Sequence, residues 1–181
     1  MQPLVIAVSG PPGSGKSTYA QTIAYKFNLK YFSAGAIFRQ IAKEMSVTFA
    51  ELHQIAMSNF DIDKRVDETV ISEAKKGNIV IDSHLGAWLL KDIADIKIYV
   101  TAPLEIRIAR ISKRDNISIE DAKKIVKHRE EINAKRFKMF YNIDINDLSI
   151  FDLMINTALW NEEFIASTLI SAIKNLNKIR A

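Results

Sequence analysis

Residues Gly10-Pro11-Pro12-Gly13-Ser14-Gly15-Lys16-Ser17 satisfy the spacing G-x-x-x-x-G-K-[ST] in full. An apolar run at 4–9 leads into this segment. A stretch at 15–27 follows it, with Tyr19, Ala20, Ile23, Ala24 and Phe27 recurring on one helical face. A buried strand that ends in a glycine turn and passes straight into a helix leaves the chain few folds to choose from. The glycines allow backbone conformations closed to other residues, so successive N–H groups can turn inward onto a phosphate. The helix N-terminus adds its partial positive charge. In such a loop Gly10 to Thr18 hold the phosphates of a nucleoside triphosphate, Lys16 bridges the β- and γ-phosphates, and the Ser17 hydroxyl ligates Mg²⁺.

The remaining elements alternate. A short strand is expected at 30–32, then a helix carrying Ile37, Phe38, Ile41 and Met45 at helical spacing. Residues 48–76 read as one further helix, with Val66, Val70, Ile71 and Ala74 inward and Gly77-Asn78 as its stop. Strands are expected at 79–81 and 96–100. Thr101-Ala102-Pro103 then opens a helix with a capping residue and an early proline. Ser118 starts a long charged helix reaching about Tyr141, and a last strand at 151–155 precedes an amphipathic helix with Phe164, Ile165, Leu169, Ile173 and Leu176. Alternating strands and helices predict an α/β fold: a doubly wound parallel sheet of about five strands, covered on both faces.

The 181 residues contain no repeat or Pro/Gly/Ser-rich linker, so a single domain is expected. There are no cysteines, which excludes disulfides and thiolate metal sites and is compatible with a cytoplasmic location. No apolar run approaches the ~20 residues that span a bilayer. The opening apolar run reads as a buried strand and not as a secretion signal. The formal charge of +4 is compatible with nucleic-acid binding. The basic residues, however, are interleaved with acids around the phosphate segment and do not follow an aromatic-bearing face, so nucleic acid is not an expected partner.

A second set of charges bears on what is done with the triphosphate. Asp82 directly follows the apolar 79–81 run, at the carboxyl edge of the sheet where open α/β folds bind ligands, and can hold Mg²⁺ through water. His84 is the one histidine placed to meet a substrate; His53 and His128 read as ordinary surface or half-buried residues. Ser33 is a candidate N-cap, Gly35 permits close backbone approach, and Arg39 taken alone reads as a solvated charge. Arg107, Arg110 and Arg114 share one helix; Arg129 and Arg136 share one face of the next. A short turn at 115–117 would bring these arginines together. Phosphoryl transfer needs such a cluster, because charge spreads over the transferred oxygens and the protein does little covalent chemistry. The competing reading is a solvated hairpin salt-bridged to Glu120, Asp121, Glu130 and Glu131. Trp88 and Trp160 read as core or rim packing.

The chain resembles the nucleoside monophosphate kinases, and most closely the archaeal-type cytidylate kinases. The resemblance runs through GPPGSGKST at Gly10 to Thr18, SAGAIFR at Ser33 to Arg39, IDSHLGAW at Ile81 to Trp88 and RIARISKR at Arg107 to Arg114. It continues in REEINAKRF at Arg129 to Phe137 and in YNIDINDLSIFDLMINT at Tyr141 to Thr157, the most specific block. It implies ATP on the phosphate loop with Mg²⁺, and a monophosphate acceptor held by Ser33, Gly35 and Arg39, with Asp82 and His84 beside it. The acceptor would lie in a helical insert at about 33–76. A short lid at about 107–137 would carry Arg110, Arg114, Arg129 and Arg136 as catalytic arginines beside Lys16. Two departures fall in the acceptor half: Ala36 stands where many relatives are acidic, and His84 where cytidylate kinases often carry Arg or another polar group. The expected reaction converts ATP and CMP (or dCMP) to ADP and CDP (or dCDP), in a monomer. The alternatives are an adenylate or broad pyrimidine monophosphate kinase, and an ATP-binding switch acting on a partner protein or RNA.

Overall fold

The computed structural model describes residues 3–179. Five parallel strands form one sheet: β1 (Val5–Ser9), β2 (Lys30–Ser33), β3 (Ile79–Asp82), β4 (Ile96–Thr101) and β5 (Leu153–Asn156), in the order β2-β3-β1-β4-β5. The order follows from right-handed crossovers on both sides of a central β1. In β1 the period-two pleat sends alternate side chains to opposite faces. Val5 and Ala7 join one core with Ile79, Ile81, Phe38, Leu52 and Val70. Ile6 and Val8 join the other with Val80, Ile98, Ile23, Ile165 and Leu169. Both faces are buried, so β1 and β3 read as unbroken apolar runs, as parallel sheets require.

Helices α1 (Lys16–Phe27) and α8 (Glu162–Ile179) cover the second face. Helices α2 (Ala34–Glu44), α3 (Phe49–Ile55), α4 (Phe60–Lys75) and α5 (Gly86–Leu89) pack on the first. Helices α6 (Leu104–Asp115) and α7 (Ile119–Tyr141) form an antiparallel hairpin with a small core of Ile108, Ile111, Ala122 and Val126. The left-handed C-cap Asn116 closes α6, and Ser118 caps α7 through the Asp121 N–H.

Several expectations are corrected. The helix expected over 48–76 is two helices. Thr48 and Glu51 form a reciprocal capping box that starts α3. The Asn59 side chain accepts from the Asp61 N–H and starts α4 afresh. Thr101 does not cap α6: it ends β4, and Pro103 stands at the N-cap without a side-chain bond. The last strand begins at Leu153, because Phe151 turns in to pack on Trp88 and Tyr99. Met45 and Phe164 are exposed, so neither belongs to the apolar face expected of it. Helix α5 was not anticipated; one turn is too short to show periodicity.

The register sets the site. Val8 of β1 pairs with Asp82 of β3, and Asp82 with Ser33 of β2, so the phosphate loop, the strand-end acid and the start of α2 emerge side by side. Because Asn59 restarts a helix that local sequence alone would run through, Asn59→Ala should lower unfolding stability by about 1 kcal/mol. Urea denaturation would show this as a lower midpoint at unchanged slope.

Candidate active site

The phosphate loop is held open by its glycines. Gly13 has φ +78°, and a Cβ there would lie 2.7 Å from the Arg107 carbonyl oxygen, so α6 packs against the loop as closely as glycine permits. Gly15, also left-handed, is the N-cap of α1 and makes no side-chain cap bond, which leaves the first N–H groups of the helix for an anion. Two cavities of about 320 Å³ adjoin the loop. One is lined by Lys16, Ser17, Thr18, Arg110 and Arg114; the other by Thr18, Tyr19, Arg110, Thr157, Trp160 and Glu162.

Lys16 is surrounded by like charge. Burial depresses its pKa most; Asp82 opposes this, while Arg129, Arg114 and Arg39 depress it further. Three guanidinium groups within electrostatic reach of one ammonium, answered by a single carboxylate, describe a site built for a polyanion. Asp82 is buried at 2% exposure. Its Oδ2 accepts from the Tyr31 hydroxyl at 2.8 Å, while its Oδ1 has no hydrogen-bond partner. The buried Ser14 Oγ and Arg129 Nε are likewise unpaired. At the start of α2 a Cβ on Gly35 would sit 3.6 Å from Arg39 Nη1 and 3.7 Å from Ser33 Oγ, so Ser33, Gly35 and Arg39 lie close together. Ser33 stands at the N-cap, but its hydroxyl makes no cap bond.

The four hairpin arginines do not act as one cluster. Arg114 is exposed and paired with the adjacent Asp115 at 2.7 Å. Arg129 is largely withdrawn from water, which lowers its pKa to about 10, and its guanidinium lies 4.9 Å from the Phe49 ring centre. These two face Lys16. Arg110 does not point freely at a transferring phosphate. It donates to Thr157 Oγ1 at 2.8 Å and to the Thr157 and Ser14 carbonyls, bracing the loop against the end of β5 and separating the two cavities. Arg136 is withdrawn from the loop altogether: it is buried and ion-paired with Asp63 of α4 at 2.9 Å. The first cause in both cases is local. Arg110 meets carbonyls that need a donor, and Arg136 lies on the part of α7 that packs against α3 and α4.

Arg107, which the sequence groups with the other hairpin arginines, is instead a buried guanidinium that donates to the Ala102 carbonyl at 2.9 Å, the Pro12 carbonyl at 3.2 Å and Glu130 at 2.5 Å. His53 is also a correction: it is 5% exposed, packed between Phe38 and Phe49, and bonded to Arg136. Burial, with Arg129 and Arg136 nearby, pushes its pKa down to about 3. His84 lies against Phe137 and meets Asn133 at 3.3 Å; burial, then Lys16 and Arg129, take it to about 3 as well. Both rings are neutral near pH 7. Trp160 is half exposed and stacks on Phe164, at the rim of the second cavity. No residue of the sequence signals that Asp63 would meet Arg136, since they are far apart in the chain.

Comparison with known proteins shows the family. A family model described as the cytidylate kinase-like family matches residues 5–159. A cytidylate kinase of Ignicoccus hospitalis is 46% identical over 165 residues, covering 91% of this chain and 96% of its own. One of Staphylothermus marinus is 53% identical over 154 residues, covering 85% and 87%. Among solved structures, a shikimate kinase of Acinetobacter baumannii superposes with a TM-score of 0.63 at 14% identity, covering 96% of this chain and 94% of that one, which speaks to the fold alone. On the match over residues 5–159 and these identities over most of its length, this chain belongs to the cytidylate kinase-like family.

Proposed function

We propose that this chain transfers the γ-phosphoryl group of ATP to CMP, with dCMP as a second acceptor. The observation that carries the reading is the gathering of Lys16, Arg39, Arg114 and Arg129 at the carboxyl edge of the sheet, with Asp82 opposing them at Lys16. The phosphate loop and Lys16 hold the ATP phosphates. Thr18, Tyr19, Arg110 and Trp160 bound the nucleoside end, and Ser33, Gly35 and Arg39 receive the acceptor phosphate between them and the loop. The helices of 33–76 form the acceptor subdomain and the α6–α7 hairpin the lid. No protein general base is required: charge growing on the transferred oxygens meets Lys16, Arg114 and Arg129 already in place.

The residues also fit Mg²⁺. The buried, unpaired Asp82 Oδ1 and the exposed Ser17 hydroxyl are hard oxygen donors at the loop. The described residues contain no cluster of three acidic or histidine side chains, which suits an ion that takes most of its ligands from phosphate and water. When bound there, through Ser17 and water on Asp82, Mg²⁺ would neutralise charge on the β- and γ-phosphates.

The test of the acceptor is ADP release with CMP, dCMP, UMP, AMP and GMP at matched concentrations, with ATP and Mg²⁺ in excess. CMP and dCMP should lead in kcat/KM, UMP should trail and both purines should be poor. A preference for AMP would make this an adenylate kinase; inactivity on all five would favour a switch.

Lys16→Ala should retain under a tenth of wild-type turnover while remaining folded. Arg114→Ala and Arg129→Ala should lose roughly 10- to 1000-fold in kcat with little change in KM for ATP, because an arginine that stabilises the transition state is worth up to 10³–10⁵ when it acts alone. Arg110→Ala should raise KM for ATP instead.

His53 and His84 should stay neutral to at least pH 5, read from their imidazole ¹⁵N shifts. The sign follows from linkage. Their folded pKa lies below the unfolded value near 6.5, so each contributes stability that is full above pH ~6.5. Each loses about 1.4 kcal/mol per pH unit as pH falls toward 3. A midpoint near 6.5 for either ring would contradict the buried placement described.

A further inference from the structure

The strand-end acid is only half satisfied. Asp82 is 2% exposed, so bulk water cannot complete its hydrogen bonding. Its Oδ2 accepts from the Tyr31 hydroxyl at 2.8 Å, while Oδ1, equally withdrawn, accepts from no described group. A carboxylate offers about four lone-pair sites, and a buried one normally fills several of them. A tyrosine present only to make a buried acid tolerable would leave the harder half of that task undone. The arrangement instead occupies one oxygen and keeps its twin available beside the phosphate loop.

Sheet register explains how the two side chains meet. Tyr31 of β2 lies opposite Val80 of β3, and both belong to the core beneath α1 and α8. The pleat repeats every two residues, so Asp82 rises on the same face as Val80. It is therefore a diagonal neighbour of Tyr31, at a spacing that a long aromatic side chain can bridge. Helix α1 covers this face and begins at Lys16 and Ser17, and Lys16 lies within electrostatic reach of Asp82. Phe32, one position on, joins the opposite core, so no shift of register would give the acid the same partner. The Tyr31 ring packs with the apolar side chains of its core, which fixes where the hydroxyl lies. A short carboxylate can swing about two side-chain bonds; a ring held in the core cannot follow it. Tyr31 therefore sets the orientation and Asp82 adopts it.

We propose that Tyr31 positions the divalent cation through Asp82: its hydroxyl engages Oδ2 and thereby turns Oδ1 to accept from water on Mg²⁺ beside Ser17. The inference rests on Asp82 holding Mg²⁺ through water, and it adds the residue that makes the acid directional. A carboxylate in direct contact with an ion attracts it over a wide range of angles. One acting through water depends on a hydrogen bond, which weakens steeply off line. Loss of a hydrogen-bonding partner behind a metal ligand typically costs about 10–100-fold in metal affinity or activity. Tyr31 touches neither the ATP phosphates nor the transferred group in this scheme; it is a positioning residue and not a catalytic one. In the sequence it is merely part of a short strand, and only the pairing of β2 with β3 brings it to the acid.

The experiment uses Mn²⁺ as a paramagnetic probe in place of Mg²⁺, its free fraction read by electron paramagnetic resonance with a non-hydrolysable ATP analogue present. Tyr31→Phe removes the hydroxyl and keeps the ring in its core. The Mn²⁺ affinity of the protein–analogue complex should fall about 10-fold. Affinity for the analogue alone, measured in EDTA, should stay within a factor of about two, and the thermal midpoint should move only a few degrees. The Mg²⁺ concentration giving half-maximal phosphoryl transfer should rise in parallel. Asp82→Asn should weaken Mn²⁺ binding at least as much, and adding Tyr31→Phe to it should cost less than about two-fold more, since the hydroxyl acts through the acid. Unchanged Mn²⁺ affinity in Tyr31→Phe would overturn the proposal and leave the hydroxyl as a tie between strands. So would a loss of about 10-fold repeated in the Asp82→Asn background, or an equal loss of metal-free analogue binding. Should Asp82→Asn fail to fold, the Tyr31→Phe measurements decide alone. A wild-type protein that adds nothing to the Mn²⁺ affinity of the analogue itself would refute Asp82 as a metal-site acid, and the proposal with it. No CMP is present in these titrations, so none of their outcomes can be mistaken for failure of the acceptor assignment.

Discussion

Mutual repulsion among Lys16, Arg39, Arg114 and Arg129 is the constraint around which this molecule is arranged. Four cations do not gather beside Asp82 and the Asp115 that pairs with Arg114 unless stronger forces hold their elements in place. The sheet supplies the first of these, since its parallel register sets the phosphate loop, Asp82 and Ser33 on adjacent strands. Two buried cores of apolar side chains fix the covering helices on either face. Polar ties do the rest at the edge: Arg107 to Glu130, Arg110 to Thr157, Arg136 to Asp63. The field near Lys16 is thus unfavourable in the empty protein and is relieved by phosphate, which is how an enzyme arranges to favour a state richer in negative charge.

The fold was legible because its signals are local. The loop motif, the unbroken apolar runs of β1 and β3 and the Ser118 cap each occupy a few consecutive residues. The errors arose where tertiary contacts override local pattern. The break at Asn59 interrupts a run that keeps helical periodicity, and Phe151 looks like strand but packs sideways on Trp88. The ATP half of the candidate site was legible for the same reason as the fold. The buried contacts between α3, α4 and α7 were not, because no spacing rule relates His53, Asp63 and Arg136. Reading all the hairpin arginines as one catalytic group erred by assuming that residues on one helix face share one task. Along α7, the face that begins over the loop at Arg129 ends against α4 at Arg136.

Fold and chemistry separate in the comparisons. The A. baumannii shikimate kinase shares the architecture at 14% identity, whereas the I. hospitalis cytidylate kinase shares 46% of residues. What the two levels have in common is the fold alone, so the fold by itself carries no statement about chemistry.

Arg107 ties the loop, β4 and α7 together in a way that has a thermodynamic consequence. One buried guanidinium bonds the loop at Pro12, the end of β4 at Ala102 and the α7 carboxylate Glu130. A displacement of the loop at Pro12 and one of α7 at Glu130 would both act on this single guanidinium. Any free energy so transmitted is a property of the pair of events and not of either one. Were nucleotide binding at the loop to favour a movement of α7 through these bonds, that movement would favour the nucleotide by the same factor.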